Sequence, residues 1–423
     1  MIHHDGEELG NASRDQWTRV VGRGQMTWTP TMAVIRRARG CCLWTIDGRR
    51  LIDFTSGVLV NNIGYAHKGF ESRVAELMKG VPRNAYNMIT PLQVEASSML
   101  VASMARTNPR VEKLLWAASG SEAIQKAMWC ALHRYPDRPY MLATRGGFHG
   151  KKGLAADVTG ESSPNPFVRM ISFPLDDHTL TESAVLNELE QYWTETGGRI
   201  SLLITEPYLG AKGSFHPPKW YHPCLERWCR ERDVAFIFDE VQSCFGRTGN
   251  MYAYETYGVR PDLVVLGKGM ASGVPTAAVA GRADLIDALD YGEGSDTFSA
   301  HPEACAAVIA TLEIFEEEDI VRTARKMGVR LGKGLARLQE RFSFIRAVRG
   351  EGMVYGIEME GPETANRCVL EAYRAKARRG VHFLGPLAGK VLRVSPPLIL
   401  DRETLIDALY LLDKAWGRVP GSA

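Results

Sequence analysis

Two short apolar runs, each closed by a charge of opposite sign, constrain this chain most. Val234-Ala-Phe-Ile-Phe238 ends at Asp239, and Asp262-Leu-Val-Val-Leu-Gly267 ends at Lys268. Runs this short and β-branched read as buried strands of a parallel sheet. Such sheets bind ligands just beyond the carboxyl ends of their strands. The pattern therefore predicts a carboxylate and an amine on one edge of an α/β layer. Two charged strand ends taken alone could equally be unrelated loop charges or an ordinary ion pair.

The rest of the chain narrows the classes available. At 423 residues it exceeds a typical single core, so two domains are expected. A net charge of +2 gives no broad field, which argues against nucleic acid or an anionic membrane as partner. No run approaches the roughly 18 apolar residues a membrane helix needs. The acidic N-terminus lacks the apolar core of a signal peptide. Eight scattered cysteines, Cys41 and Cys42 adjacent, suit reduced thiols and a cytoplasmic location. Cys224 and Cys229, near His216 and His222, match no usual ligand spacing, and no metal is expected.

From about 95 to 300, strand-like runs alternate with helical stretches: 114–118, 140–144, 202–205, 234–238 and 262–266. This implies a mixed, mostly parallel sheet with helices on both faces. Before it, Leu43–Phe54 reads as a hairpin turning at Asp47-Gly48. After about 303, a long helical stretch and short strands at 344–349, 353–358 and 391–394 suggest a smaller α+β domain. The polar residues 1–30 are expected to gain order only by packing on a partner.

A carboxylate and an amine at one sheet edge suit pyridoxal 5'-phosphate, whose ring nitrogen is kept protonated and whose aldehyde is held by a lysine. The stretch Asp-Glu-Val-Gln-Ser-Cys-Phe-Gly-Arg-Thr-Gly (239–249) closely resembles the signature of class III aminotransferases, with Cys244 where Gly is usual. Lys268 falls at the spacing of that family's Schiff-base lysine. The likeness runs from about residue 40 to 410. It implies the fold type I architecture, with 1–60 packing on the small domain, 61–302 as the cofactor domain and 303–423 as the small domain.

The resemblance also implies roles, each beside a plainer reading. Ser119-Gly120-Ser121-Glu122 matches the family's phosphate cup at a helix start, and it is equally a capping box. Phe148, in Gly146-Gly-Phe-His149-Gly150, matches an aromatic that stacks on the pyridine; a core Phe is the alternative. His149 belongs to the same motif. Asp239 would contact the ring nitrogen, Gln242 the phenolic oxygen, and Glu206 would organise the region. Glu240 reads as pairing with a nearby arginine and is left out of the site. Lys268 would hold the cofactor and then move the proton at the substrate's Cα. Lys126, Lys152 and Lys212 are weaker rivals, because none follows a buried strand. Thr297 resembles a threonine that reaches the phosphate of a neighbouring subunit, which implies a homodimer with shared sites and leaves a tetramer open.

Arg393, in Val-Leu-Arg-Val-Ser-Pro-Pro (391–397), resembles the family arginine that forks onto a substrate carboxylate. Relatives that use 2-oxoglutarate often carry Glu where Ala211 stands, so pyruvate or another small 2-oxo acid is the expected acceptor. Trp28 and Tyr65 are candidates for the donor pocket. The expected activity is amino transfer from an amine or amino acid to a 2-oxo acid in two half-reactions. The alternatives are racemisation, decarboxylating transamination or aminomutase chemistry on the same scaffold.

Overall fold

The computed structural model describes residues 2–27, 29–175 and 179–420. Two compact units divide the chain: Lys68–Arg322, and a discontinuous unit of Met1–His67 with Thr323–Ala423. The family resemblance implies breaks at 60/61 and 302/303 instead. Helix Pro302–Glu317, just after that second break, packs on helices Lys68–Leu77 and Pro91–Ala105 of the large unit. It is buried on nearly every side from Ala304 to Leu312, an interior helix and not the start of a new domain.

Among the described residues of the large unit seven strands form one sheet: β1 (Lys113–Ala117), β2 (Tyr140–Thr144), β3 (Val168–Ile171), β4 (Ile200–Thr205), β5 (Ala235–Asp239), β6 (Leu263–Leu266) and β7 (Ala277–Gly281). Their order is β1-β7-β6-β5-β4-β2-β3. Strand β7 is antiparallel to both neighbours, and every other pair is parallel. Every residue of β4 and β5 is buried, which is why they read as unbroken apolar runs. Successive side chains feed opposite layers. Leu202, Ile204, Ile237 and Val265 cluster with Ala123, Ile124 and Ala127 of helix Gly120–Arg134. Phe238 faces the other way, edge-on to His222 of helix Tyr221–Glu231 with ring centroids 4.9 Å apart. Each buried Leu or Ile contributes roughly 1.5–3 kcal/mol by leaving water, so a residue at a strand's carboxyl end is held on a stiff frame.

In the discontinuous unit the expected hairpin is present. Cys42–Thr45 pairs antiparallel with Arg50–Asp53, and Gly48 turns the chain at φ +85°, a left-handed conformation open to glycine. Arg50–Asp53 also pairs in parallel with Arg379–His382, so one sheet joins both chain ends. A second, antiparallel sheet comprises Ile345–Glu351, Val354–Met359 and Val391–Val394. The expectation that residues 1–30 need a partner for order is corrected for helix Glu8–Val20, which is anchored within its own unit. The carboxylate of Asp47 accepts the Leu9 and Gly10 amides at 3.1 and 3.0 Å. Buried Glu7 accepts from Arg14 and from the Tyr373 hydroxyl, both at 2.7 Å. A buried carboxylate with that many donors is tolerated where a lone one would not be.

Just after the hairpin, Ser56, Gly57, Val58 and Leu59 lie at φ +43°, +62°, +67° and +62°. That is one left-handed helical turn, a conformation costing roughly 1–2 kcal/mol per non-glycine residue. Thr55 Oγ1 accepts the Gly57 amide at 3.1 Å, and the Ser56 hydroxyl donates to Ser395 O at 2.8 Å. Among the described residues no helix is long and apolar enough to cross a membrane.

Candidate active site

The carboxyl ends of β1, β2, β4, β5 and β6 share one edge of the sheet, and every large-unit candidate except Thr297 emerges there. A cavity of about 220 Å³ at this edge is lined by Ser119, Gly120, Ser121, Phe148, His149, Gly150, Asp239, Val241, Gln242 and Lys268. The structure thus brings together eight residues singled out from sequence and adds Gly150 and Val241. Both additions sit inside the same sequence motifs, so the signal for them was present but carried no chemistry to flag it.

Asp239 ends β5 with its side chain only 5% exposed. One carboxylate oxygen accepts the Val241 amide at 3.0 Å; the other lies 2.8 Å from His149 Nδ1. His149 is itself buried, and its Nε2 has no hydrogen-bond partner among the described residues. The imidazole therefore fixes the carboxylate's orientation from behind. Glu206, directly after β4, is fully buried and does not line the cavity. It accepts the Phe148 amide at 2.9 Å and the Gly210 amide at 3.4 Å, tying the aromatic loop to the loop that follows β4. Burial pushes its carboxyl up to about 7, with the Asp239 charge adding and His149 and the two amides opposing.

The helix start serves two purposes at once. Ser119 Oγ accepts the Glu122 amide at 3.4 Å and so caps the helix, while the Glu122 carboxylate accepts the amide of Ala118, one residue before the cap, at 3.1 Å, so the expected capping box is only half formed. Ser119, Gly120 and Ser121 still wall the cavity, where a helix N-terminus favours an anion. Gly150 closes the cup: at φ +147° a Cβ there would stand 2.4 Å from Ser121 Oγ. Only glycine fits.

Lys268 follows β6 through Gly267 and sits half-buried at φ +44°. For a lysine this left-handed backbone is strained, and such strain concentrates at functional sites. Beneath it, the Cys244 thiol approaches Gly267 O at 3.5 Å, and burial pushes that thiol up to about 12. The unusual Cys244 is therefore an inert packing group under the lysine's backbone. Glu240, expected to pair with an arginine, accepts the Ala253 and Tyr254 amides at 2.7 Å each, capping a short helix.

Other candidates lie elsewhere. Thr297 is exposed on a surface turn and does not line the cavity. Tyr65 and Arg393 belong to the discontinuous unit. There Tyr65 donates to Asp53 Oδ2 at 2.8 Å, and Arg393 sits 7% exposed on strand Val391–Val394. Trp28 lies outside the described residues. Of the rival lysines, Lys126 is buried against Asp296, Lys212 pairs with Glu161, and Lys152 is exposed.

These walls suit pyridoxal 5'-phosphate. An amine faces a cavity that also holds a buried carboxylate braced by an imidazole, an aromatic wall, a side-chain amide and a glycine-cradled helix start with two hydroxyls. Residues 25–416 match the model of the class III aminotransferase family, and the chain belongs to that family. It is similar to acetylornithine aminotransferase of Methanothermobacter thermautotrophicus, 31% identical over 91% of this chain and 94% of that protein. It is also similar to a leucine/methionine racemase of Thermococcus litoralis, 29% identical over 92% of this chain and 91% of that one. Among solved structures, an amine transaminase from an uncultivated Pseudomonas species in pyridoxal-phosphate-bound form superposes with a TM-score of 0.84. It is 27% identical, covering 95% of this chain and 97% of that one. The architecture is that of fold type I transaminases.

Proposed function

We propose that this class III enzyme transfers an amino group from an amine or amino acid to a small 2-oxo acid, pyruvate foremost, in two successive half-reactions. Bound pyridoxal phosphate supplies an electron sink for the bond that breaks at the substrate's Cα. Lys268 would hold the cofactor, and its Nζ would move the proton at the substrate's Cα. Asp239, braced by His149, would keep the ring nitrogen protonated. Ser119, Gly120 and Ser121 would bind the phosphate, Phe148 would face the ring, and Gln242 would hold its phenolic oxygen. Glu206 holds the Phe148 loop in place. We assign Arg393 to the substrate carboxylate and Trp28 and Tyr65 to the donor amine on the resemblance to the family.

The observation that carries this reading is the shared cavity of Lys268, Asp239 and the 119–121 helix start. Ala211, in place of a gating carboxylate, supports pyruvate over 2-oxoglutarate. The working form we infer is a cytoplasmic homodimer in which Thr297 reaches the second copy's phosphate. Its exposure beside exposed Phe298 and Tyr291 supports that arrangement, as does a groove of about 980 Å³ between the 84–88 segment and the 286–301 loop.

Borohydride treatment of the yellow holoenzyme should fix the cofactor on the peptide bearing Lys268, and Lys268→Ala should abolish both that label and turnover. A label on any other lysine removes the assignment. Faster single-turnover reaction with 2-oxoglutarate than with pyruvate removes the acceptor. A second reading, racemisation, is favoured by the similarity to the leucine/methionine racemase. Inversion of a single amino acid with no keto product would select it.

A further inference from the structure

Lys126, with which the transfer chemistry has no business, occupies a conspicuous place. It lies on helix Gly120–Arg134, behind the cup, with its side chain 6% exposed. Its Nζ donates to Trp116 O at 2.6 Å, Asp296 Oδ2 at 2.8 Å and Ser299 Oγ at 3.2 Å, which uses all three ammonium hydrogens. Trp116 belongs to β1, the strand that runs into the cup. Asp296 and Ser299 bracket Thr297 in one turn. Asp296 Oδ1 accepts the amides of Phe298 and Ser299 at 3.2 and 2.8 Å, and the Ser299 hydroxyl lies 3.0 Å from Trp116 O. Thr297 and Phe298, at the tip of that turn, are exposed.

We propose that Lys126 is a positioning residue: its ion pair with Asp296 pins the Thr297 turn to the strand and helix that form the cup. Each subunit thereby presents Thr297 at a set distance to the cofactor phosphate of the other. The inference rests on the reading that Thr297 acts on the second copy. A turn held only by its own amide contacts could move as a unit. The buried ammonium adds a fixed point outside it, and its charge-assisted hydrogen bonds resist displacement.

The consequence is that loss of Lys126 harms the partner's cofactor, not its own. Hybrid dimers with distinguishable tags test this. One subunit is wild type and the other carries Lys268→Ala, so that borohydride-trappable pyridoxal phosphate reports on the wild-type subunit alone. Adding Lys126→Met to the Lys268→Ala subunit should weaken cofactor retention on its wild-type partner by about tenfold. Placing Lys126→Met in the subunit that keeps Lys268 should leave that subunit's retention near normal. Loss confined to the mutated subunit, or no loss in either hybrid, overturns the proposal. Should Lys126→Met fail to fold, Asp296→Asn breaks the same pair from its more exposed side. Thr297→Ala in the same arrangement separates the two ideas. If it has no effect across the dimer, the reading of Thr297 fails; if it acts and the Lys126 and Asp296 variants do not, only the positioning role of Lys126 fails.

Discussion

The two compact units place their important residues by different physics. In the large unit, Ser119, Phe148, Glu206, Asp239 and Lys268 each sit at or just beyond the carboxyl end of a strand, and the sheet's regular spacing gathers them at one edge. In the discontinuous unit, Glu7, Asp47, Asp53 and Tyr65 are placed by polar contacts between segments distant in sequence. The first arrangement repeats a period any sheet must have. The second is assembled contact by contact, so single substitutions should act on it through stability, and on the first through chemistry.

The sharpest break in that contrast should come at Asp239. Asp239→Asn preserves size but removes the charge, and kcat should fall roughly 10²–10³-fold, the usual loss for a preorganised electrostatic contact. Thermal stability should change little, because the Val241 amide keeps an acceptor. His149→Ala, which only frees the carboxylate, should cost about tenfold. Equal losses in the two variants would mean that His149 itself touches the reacting group.

The discontinuous unit should answer in the opposite currency. Arg14 and Glu7 are each 3% exposed at the ion pair, and removing one partner strands a buried charge. Arg14→Met should destabilise by about 3 kcal/mol, while Arg14→Met with Glu7→Gln should recover most of it. Urea titration of both variants checks this. A destabilisation that persists undiminished in the double variant would show that packing, not charge, anchors helix Glu8–Val20.

The same difference decides how much is legible in the sequence. Strands β4, β5 and β6 announce themselves as contiguous apolar runs, and a residue closing such a run must sit at the sheet's binding edge. Strand β7 does not, because Ala-Ala-Val-Ala-Gly is small, carries no aromatic and reads as a turn out of context. The pairing of Arg50–Asp53 with Arg379–His382 links opposite ends of the chain and has no local signal. Nor does helix Glu8–Val20 show an apolar stripe, since an ion pair and a carboxylate at Asp47 hold it. Lys126 reads in sequence as a spare lysine; only the fold brings Asp296 to it.

Between these extremes lies Glu206, placed by the sheet yet acting through burial. With the carboxyl raised to about 7 from its usual 4.5, the folded apoprotein binds more protons than the unfolded chain between those values. Its contribution is therefore fully present below about pH 4.5 and is lost as pH rises through 7. Glu206→Gln should flatten the decline of stability from pH 5 to 8, removing on the order of 1–3 kcal/mol of pH dependence. Unfolding by denaturant at several pH values reads this directly. An unchanged slope would assign the dependence to another buried acid, Glu240 first, which burial pushes up to about 8.

The smallest effect bears on the left-handed turn. Val58 stands at φ +67°, ψ +54°, a β-branched side chain in a conformation that crowds its Cβ, and it is 38% exposed. Val58→Gly relieves the crowding, at a cost in backbone freedom of the unfolded chain and the loss of a half-exposed side chain. Left-handed strain for such a residue is roughly 1–3 kcal/mol, and the opposing entropy is about 0.4–1 kcal/mol. The net should be a gain of about 1 kcal/mol, seen as a higher urea midpoint with unchanged slope. Its sign is the informative part. If Val58→Gly lowers the midpoint instead, the turn is held by the valine's own packing, and the Thr55 and Ser395 hydrogen bonds are followers of that contact, not its cause.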